Sequence, residues 1–224
     1  GLGDVYKRQD VLYPNDNTMV GKILRLRQQY FMVSASLQDI VRKFKATGKS
    51  LKELPEKWCF QLNDTHPVIA IPELLRILQT EGLTFDEAFE VCAACFNFTN
   101  HTIMAEALEK WDALALSDLL PGVYEQILNC QRKLEADGLD PNVFYIVRDN
   151  VIHMANLAIF VSSHVNGVAE IHTNILKTQT FRNWYERFPE KFVNITNGIT
   201  PRRWLLLNNP ELARVIDGKI GTGW

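Results

Sequence analysis

The order of apolar and polar positions predicts helices that alternate with short buried strands. Apolar residues recur at helical spacing over 22–45, in "KILRLRQQYFMVSASLQDIVRKFK", which predicts a long helix. A loop is predicted for 10–22, and the polar stretch 46–57 ends the helix. The same periodicity predicts further helices from Pro67 to Gly82, from Thr84 to Cys95, near 121–136, within "NVIHMANLAIF" and over the last twenty residues. Thr84 and Glu87 have the spacing of a capping box.

Short runs with the character of buried strands lie between these helices and end in polar residues. They are "WCFQLND" (58–64), "FNFTNH" (96–101), "VFYIV" (143–147), the stretch around "HVNG" and "KFVNITNG" (191–198). The repeated order of strand, polar tip and helix favours an α/β fold, with an open, mostly parallel sheet flanked by helices.

Four of the predicted strands end in side chains that form hydrogen bonds readily. These polar tips are Asn63–His66, Thr99–His101, His164–Asn166 and Thr196–Gly198. Ligands of open α/β sheets bind beyond the carboxyl ends of the strands, so the tips are expected to face one crevice. Amides, hydroxyls and neutral imidazoles both donate and accept, which suits a ligand covered in hydroxyl groups, such as a sugar. Helix capping is the alternative role for any single tip.

The composition narrows the possible classes of function. The chain has 224 residues, of which 46% are apolar and 22% charged, as in an ordinary soluble globular protein. A formal charge of −2 provides no basic surface for nucleic acid. The longest apolar runs are too short to predict a membrane span. The sequence contains no phosphate-binding GxxxxGK[ST] loop, no GxGxxG turn after a strand and no GxSxG nucleophile elbow.

Some residues outside the tips leave alternatives open. Cys92 and Cys95 form a CxxC, but their helical surroundings favour buried thiols, and no second half-site completes a metal centre. Asp64 and Glu109 have the chemistry of a glycosidase pair. The guanidinium groups of "TPRRW" (200–204) suit a phosphate or remain solvated. Four aromatic side chains either cover sugar faces or belong to the core: Tyr13, Phe98, Trp111 and Trp204.

Six segments together carry a resemblance to a known family. They are "LYPNDN", "RQQYF" with "SLQDIVRKF", "QLNDTHP" with "AIPELLR", "TNHT" with "EALEKW", "SSHVNGVAEIH" and "TNGITPRRW". In this order they resemble the α-glucan phosphorylases, which comprise glycogen, starch and maltodextrin phosphorylase. The resemblance is collinear and runs from about Val11 to Trp224.

The resemblance implies a reaction, a cofactor and a fold. The family uses inorganic phosphate to release the terminal α-1,4-linked glucose of a glucan as glucose 1-phosphate, with retention of configuration. Its cofactor is pyridoxal 5'-phosphate, carried on a lysine that has no counterpart in this chain. Its two Rossmann-like domains face a cleft, in the B-type glycosyltransferase arrangement. Residues 10–195 resemble the latter part of the N-terminal domain and 196–224 the start of the C-terminal domain, whereas 1–9 do not match and are expected to be foreign.

The resemblance also assigns residues to the pocket beside the bound glucose. Asp16 and Asn17 fall in the loop that gates the cleft, and Asn17 matches a residue that hydrogen-bonds the glucose. Asp64 and His66 match residues that line the pocket, and Glu109 lines it as well. These five positions are therefore predicted substrate-binding residues.

Three further positions match residues close to the reaction. His101 matches a direct glucose contact whose backbone carbonyl lies near the anomeric carbon, which makes it the predicted catalytic residue. Asn197 matches a residue that binds the glucose 6-hydroxyl, and Trp204 matches one beside the cofactor phosphate. Thr18 stands where animal enzymes have an aromatic residue of a purine inhibitor site, so that form of regulation is not expected here.

The resemblance carries expectations about partners and two rival functions. The full-length protein is expected to be a homodimer in the cytoplasm, or in a plastid if the organism is a plant or an alga. A non-catalytic glucan-binding relative without the cofactor half is the alternative function. A nucleotide-sugar glycosyltransferase on the same fold is the third. The chain by itself is expected to be an inactive internal fragment.

Overall fold

The structure is a computed structural model that describes residues 14–224. Predictions that fall on residues 1–13 lie outside the described residues, namely the foreign segment 1–9, the first part of the loop and Tyr13. Among the helices of the described part, none has the length and apolar character of a membrane-spanning segment.

The described residues alternate between helices and short strands. The α-helices are α1 (Met19–Lys45), α2 (Ala70–Thr80), α3 (Phe85–Cys95), α4 (Ala113–Leu119), α5 (Pro121–Ala136), α6 (Met154–Val161), α7 (Glu170–Ile175), α8 (Arg182–Arg187), α9 (Pro201–Asn208) and α10 (Pro210–Ile220). The strands are β1 (Phe60–Asn63), β2 (Phe96–Thr99), β3 (Lys110–Asp112), β4 (Val147–Arg148), β5 (Val151–His153), β6 (Val165–Gly167) and β7 (Phe192–Asn194). Short 3₁₀ or π helices cover Leu51–Glu56, Ala105–Ala107, Leu176–Thr180 and Pro189–Lys191.

The strands of the described residues form two sheets. β1, β2, β6 and β7 lie side by side in that order, and each neighbouring pair is parallel. Helices connect successive strands of this sheet, for example α2 and α3 between β1 and β2. β3, β5 and β4 form a small antiparallel sheet. The predicted α/β fold with a mostly parallel sheet flanked by helices is confirmed.

Most of the core lies where α2, α3 and α6 bury apolar side chains together with β1, β2 and β6. Fully buried side chains from α2 and β2 form the centre of this core: Ile71, Leu74, Leu75, Leu78, Phe96 and Phe98. α3 begins at the predicted capping box, in which Thr84 Oγ1 accepts from the Glu87 N–H while the Glu87 carboxylate accepts from the Thr84 N–H. These contacts hold the strands that carry the polar tips.

Several predicted element bounds are wrong, and each has a local cause. α2 begins at Ala70 because the residues after Pro67 first form tight turns with i+3 hydrogen bonds. The strand predicted at 143–147 is reduced to β4. The helix predicted in "NVIHMANLAIF" begins only at Met154, because Val151–His153 pair with β3 and β4 as β5. The last twenty residues lie in two helices, since Pro210 lacks the N–H that would continue α9.

Gly167 ends β6 at a point where α7 crosses at close range. A Cβ added there would lie 2.4 Å from Thr173 Oγ1 and 2.9 Å from Thr173 Cα. Since the Cα cannot rotate away, we expect Gly167→Ala to lower the free energy of unfolding by about 2 kcal/mol in urea denaturation. Gly218→Ala in α10 is the matched control, because no heavy atom lies within 4 Å of its Cβ position. It should raise the stability by up to about 1 kcal/mol, and equal losses in both variants would contradict the packing argument.

Candidate functional site

The carboxyl ends of β1, β2 and β6 bring polar side chains side by side. Asn63 of β1 is opposite Thr99 of β2, which is opposite Asn166 of β6. Thr99 Oγ1 donates to Asn166 Oδ1 at 2.8 Å and accepts from Gln61 Nε2 at 2.8 Å. The tips of these three strands therefore form one hydrogen-bonded row, at the edge where the sequence predicts a binding site.

His101 lies beside this row, in the segment that follows β2. Its Nε2 lies 2.6 Å from Asn63 Oδ1. Because an amide oxygen only accepts, this contact places the imidazole hydrogen on Nε2 and makes Nδ1 an acceptor. Both side chains are exposed. A hydroxyl group of a ligand can therefore reach His101 and donate to its Nδ1.

Asp64 is fixed at the tip of β1 by its backbone and by both carboxylate oxygens. Its φ of 63° lies in the left-handed region, which aspartate tolerates better than most residues. Its N–H donates to the Thr99 carbonyl at 2.8 Å. Oδ1 accepts from the Thr65 N–H at 2.7 Å, and Oδ2 accepts from Thr102 Oγ1 at 3.0 Å. Only 7% of the residue is exposed, so the Asp64 carboxylate is held in one position at the tip of β1.

A second polar cluster joins α1 to the segment before β3. Glu109 Oε1 accepts from Gln29 Nε2 at 3.2 Å and forms an ion pair with Arg25 Nη2, also at 3.2 Å. Arg25 also forms an ion pair with Asp16, in the loop before α1, and its guanidinium lies 5.0 Å from the centre of the Trp111 ring. Arg25 thereby connects the predicted gate loop to Glu109.

The buried carboxyl of Glu109 is electrostatically part of the β1 tip. Burial raises its pKa, whereas the hydrogen bond from Gln29 and the charges of Arg25 and His66 lower it, and the Asp64 charge raises it again. Its second oxygen, Oε2, is buried without a hydrogen-bond partner among residues 14–224. That oxygen can serve a ligand, and the charges of Asp64 and His66 lie within electrostatic range of the Glu109 carboxyl.

The structure places the loop after β7 against the turn after β6. The Asn197 N–H donates to the Val168 carbonyl at 3.0 Å, and Asn194 Nδ2 donates to Thr196 Oγ1 at 3.2 Å. This loop therefore reaches the carboxyl edge of the sheet as predicted, although β7 itself ends at Asn194.

His164 does not lie at this edge, so its assignment to a polar tip is wrong. It precedes Val165, the first residue of β6, and its Nδ1 lies 3.3 Å from Asn97 Oδ1. The pattern "HVNG" does not show where pairing begins, and the structure places His164 at the amino end of the strand. Asn166 is the residue of that segment that reaches the row of side chains.

The remaining candidates divide between the core and the surface. Phe98 and Trp111 are buried and belong to the core. Trp204 is 67% exposed on α9, and Asn17, in the loop before α1, is exposed. Cys92 and Cys95 are free and buried. Burial raises the pKa of both thiols, to about 12 for Cys95. This agrees with the prediction that the CxxC consists of buried thiols on a helix.

Three residues of the site were missed in the sequence, and a fourth, Asn100, lies within the predicted tip Thr99–His101 without having been assigned a role. Arg25 and Gln29 are one turn apart on α1, and this spacing was the only local signal. Asn100 is fully buried, and both atoms of its amide lack a partner among the described residues. His172, on α7, is 5% exposed, and its Nδ1 accepts from the Val168 N–H at 3.1 Å.

No group of three His, Cys, Asp or Glu side chains in residues 14–224 has the arrangement of a metal site.

Comparison with known proteins places the chain in a family. A family model described as carbohydrate phosphorylase matches residues 5–224, which includes part of the segment expected to be foreign. The chain is 44% identical to the glycogen phosphorylase of Haemophilus influenzae, over 96% of this chain and 28% of that protein. It is 43% identical to the maltodextrin phosphorylase of Streptococcus pneumoniae (95% and 28%) and 46% identical to the liver glycogen phosphorylase of Homo sapiens (94% and 27%). The chain spans a little over a quarter of these relatives. It belongs to the carbohydrate phosphorylase family.

Proposed function

We propose that this chain forms the sugar-binding wall of an α-1,4-glucan phosphorylase, which releases glucose 1-phosphate from the end of a glucan. One feature supports this most directly. The joined tips of β1, β2 and β6 present amide, hydroxyl, imidazole and carboxylate groups to one edge of the sheet. Such a set matches the hydroxyl groups of a glucosyl unit. The names of the relatives, glycogen and maltodextrin phosphorylase, point to the same class of substrate.

The terminal glucose would lie against the tips of β1 and β2. His101 Nδ1 would accept from a sugar hydroxyl, since Asn63 fixes the hydrogen on Nε2. The Asn197 side chain would bind the 6-hydroxyl from the loop after β7. Asp64, His66 and Glu109 would line the adjoining pocket, and the Oε2 atom of Glu109 provides a hydrogen-bonding position there.

The loop before α1 would close the entrance. Arg25 holds Asp16 and Glu109 together, so it would couple the position of this loop to the pocket wall. Asn17 is exposed in that loop, where it can turn toward a bound glucose. Sugar binding and loop closure would then reinforce each other through the same guanidinium group.

The reacting carbon would lie close to the main chain of His101. A carbonyl oxygen near the anomeric carbon stabilises the positive charge that develops in an oxocarbenium-like transition state. Because the preceding residue, Asn100, donates its N–H to the Asn166 carbonyl at 2.9 Å, this stretch of main chain is well held. Inorganic phosphate would give a proton to the departing glucan 4-oxygen as the glycosidic bond breaks and would then bond to the anomeric carbon from the same face, which gives retention.

The described residues suit one part of the pyridoxal 5'-phosphate cofactor. Trp204, Arg202 and Arg203 are exposed on α9, and an indole with two guanidinium groups suits a phosphate-bearing ring. When bound, the cofactor would supply its phosphate as an acid–base group. Lys219, the one lysine between 196 and 224, is exposed on α10. We therefore expect the lysine that carries the cofactor to lie elsewhere in the complete protein.

The proposal extends to the whole protein. Residues 10–195 and 196–224 would belong to the two domains that face the cleft. The complete protein would use α-1,4-glucan and inorganic phosphate, form a homodimer, and act in the cytoplasm or in a plastid.

The reaction is tested with a complete protein that contains this chain. Incubated with maltoheptaose, it should release glucose 1-phosphate only when inorganic phosphate is present. Release of free glucose without phosphate would instead favour a glycosidase, with Asp64 and Glu109 as its carboxyl pair. Binding of maltoheptaose with no reaction would favour the non-catalytic glucan-binding relative.

We expect the 224-residue chain alone to release no glucose 1-phosphate. It carries the sugar wall but spans only about 28% of its relatives, and the expected cofactor lysine has no counterpart in it. The assay uses maltoheptaose, phosphate and added pyridoxal 5'-phosphate. Phosphate-dependent release by the purified chain would refute the division of roles proposed for the two domains.

A further inference from the structure

His172 is a buried histidine on α7 that contacts the turn after β6. It is the third residue of α7, only 5% exposed, and its Nδ1 accepts from the Val168 N–H at 3.1 Å. In a neutral imidazole with Nδ1 as the acceptor, the hydrogen lies on Nε2. This Nε2 is buried, and it has no hydrogen-bond partner within residues 14–224.

α7 holds His172 rigidly against the end of β6. Gly167 allows Thr173 to approach the strand so closely that a Cβ would overlap it. Thr173 Oγ1 also lies 2.9 Å from Asn194 Oδ1, at the end of β7, and shares its one hydrogen between this atom and the Ala169 carbonyl, also at 2.9 Å. The helix therefore cannot shift without disturbing the ends of two strands, so the imidazole has a fixed position.

The peptide groups of Val168 connect His172 to the loop after β7. The Val168 N–H donates to His172, and the Val168 carbonyl accepts from the Asn197 N–H at 3.0 Å. The orientation of one residue in the turn after β6 thus depends on His172 and in turn determines where Asn197 lies. Asn197 is the residue proposed above to bind the sugar 6-hydroxyl.

We propose that His172 is a positioning residue of the sugar pocket, which acts through its Nδ1 acceptor on the turn that holds Asn197. The inference rests on the proposed sugar-binding function and adds a residue that the family resemblance did not assign. The donor side of the ring, Nε2–H, has no part in this contact. The two nitrogens therefore make separable predictions.

The electrostatic surroundings keep the acceptor available. Burial lowers the pKa of His172, the electrostatic interaction with the nearby His101 side chain lowers it further, and Asp64 opposes this. The ring is therefore neutral at pH 7, and its Nδ1 lone pair stays free to accept from Val168. The same interactions show that His172 lies within electrostatic range of two other residues of the pocket.

Three substitutions separate the two ring nitrogens. His172→Asn keeps an acceptor near the position of Nδ1, His172→Gln keeps a donor near the position of Nε2, and His172→Phe keeps only the ring volume. In a complete protein that contains this chain, we expect His172→Phe and His172→Gln to speed amide hydrogen exchange at Val168 and Asn197 about tenfold, as loss of one hydrogen bond would. They should weaken glucose binding, followed by NMR titration, by a similar factor. His172→Asn should stay within about twofold of the unmodified protein in both measurements.

His164→Phe is the matched control, because His164 is an exposed histidine at the opposite end of the same strand. It should leave exchange at Asn197 and glucose binding unchanged. The proposal would be overturned if His172→Gln, but not His172→Asn, kept the exchange rates and glucose binding of the unmodified protein. It would also be overturned if amide exchange at Val168 and Asn197 were unchanged in all three variants. If His172→Phe does not fold, the comparison of His172→Asn with His172→Gln still tests whether the Nδ1 acceptor is required. If the unmodified protein binds no glucose, the proposed sugar-binding function is contradicted. Amide exchange at Asn197 in the variants still tests whether His172 positions this loop.

Discussion

Replacing His101 by alanine in a complete protein that contains this chain is expected to lower kcat/KM for phosphorolysis about 100-fold, which corresponds to about 2.7 kcal/mol of transition-state stabilisation. The variant loses the Nδ1 acceptor for a sugar hydroxyl and the contact between Nε2 and Asn63 Oδ1. Each hydrogen bond contributes about 1 kcal/mol. The remainder reflects a looser main chain next to the anomeric carbon, where a misplaced carbonyl oxygen stabilises less positive charge. Initial rates of glucose 1-phosphate formation at several maltoheptaose concentrations measure the effect.

A histidine outside the site provides the comparison for this variant. His164→Ala removes an exposed imidazole at the opposite end of the sheet, so kcat/KM should remain within about twofold of the unmodified enzyme. Circular dichroism of both variants checks that the fold is intact. An unchanged rate for His101→Ala, or an equal loss in both variants, would remove His101 from the proposed mechanism.

The elements that the sequence predicts well carry strong local signals. The long periodic run of α1, the capping box at Thr84 and the proline that opens α5 each specify their own helix boundary or period. The site edge could be predicted because parallel strands place their carboxyl ends together, whatever their exact lengths. This topological rule brought Asn63, Thr99 and His101 to one place before any contact was known.

The features that the sequence did not predict depend on contacts between distant segments. β3, β4 and β5 are only two or three residues long, so none of them shows a recognisable alternation, and each exists because a neighbour pairs with it. The bonds of Arg25 to Glu109 and of His172 to Val168 follow from tertiary packing. A buried imidazole or a half-buried guanidinium looks like an ordinary helical residue until its partner is located.

A buried carboxylate also connects α1 to α2. Glu73, on α2, is 0% exposed, and both its oxygens are occupied. Arg76 Nε and Nη2 donate to them at 2.8 Å each, Ser34 Oγ donates at 2.6 Å, and Tyr30 Oη donates at 3.3 Å. The hydrogen bonds to Glu73 raise the pKa of the Arg76 guanidinium above its usual value. The charge of Glu73 is therefore tolerated only while Arg76 is present.

Arg76→Met is accordingly expected to lower the free energy of unfolding by about 3 kcal/mol, since it leaves a buried charge without its partner. The value lies at the lower end for such losses because the Arg76 side chain is one-third exposed and its ion pair is partly screened. Urea denaturation of the 224-residue chain measures this free energy.

The control variant is Arg182→Met, which removes the exposed ion pair with Glu186 and should lower the free energy of unfolding by less than about 0.5 kcal/mol. Adding Glu73→Gln to Arg76→Met should recover part of the loss, because the neutral amide no longer needs a cation. Equal costs for Arg76→Met and Arg182→Met would show that Glu73 does not depend on its guanidinium partner.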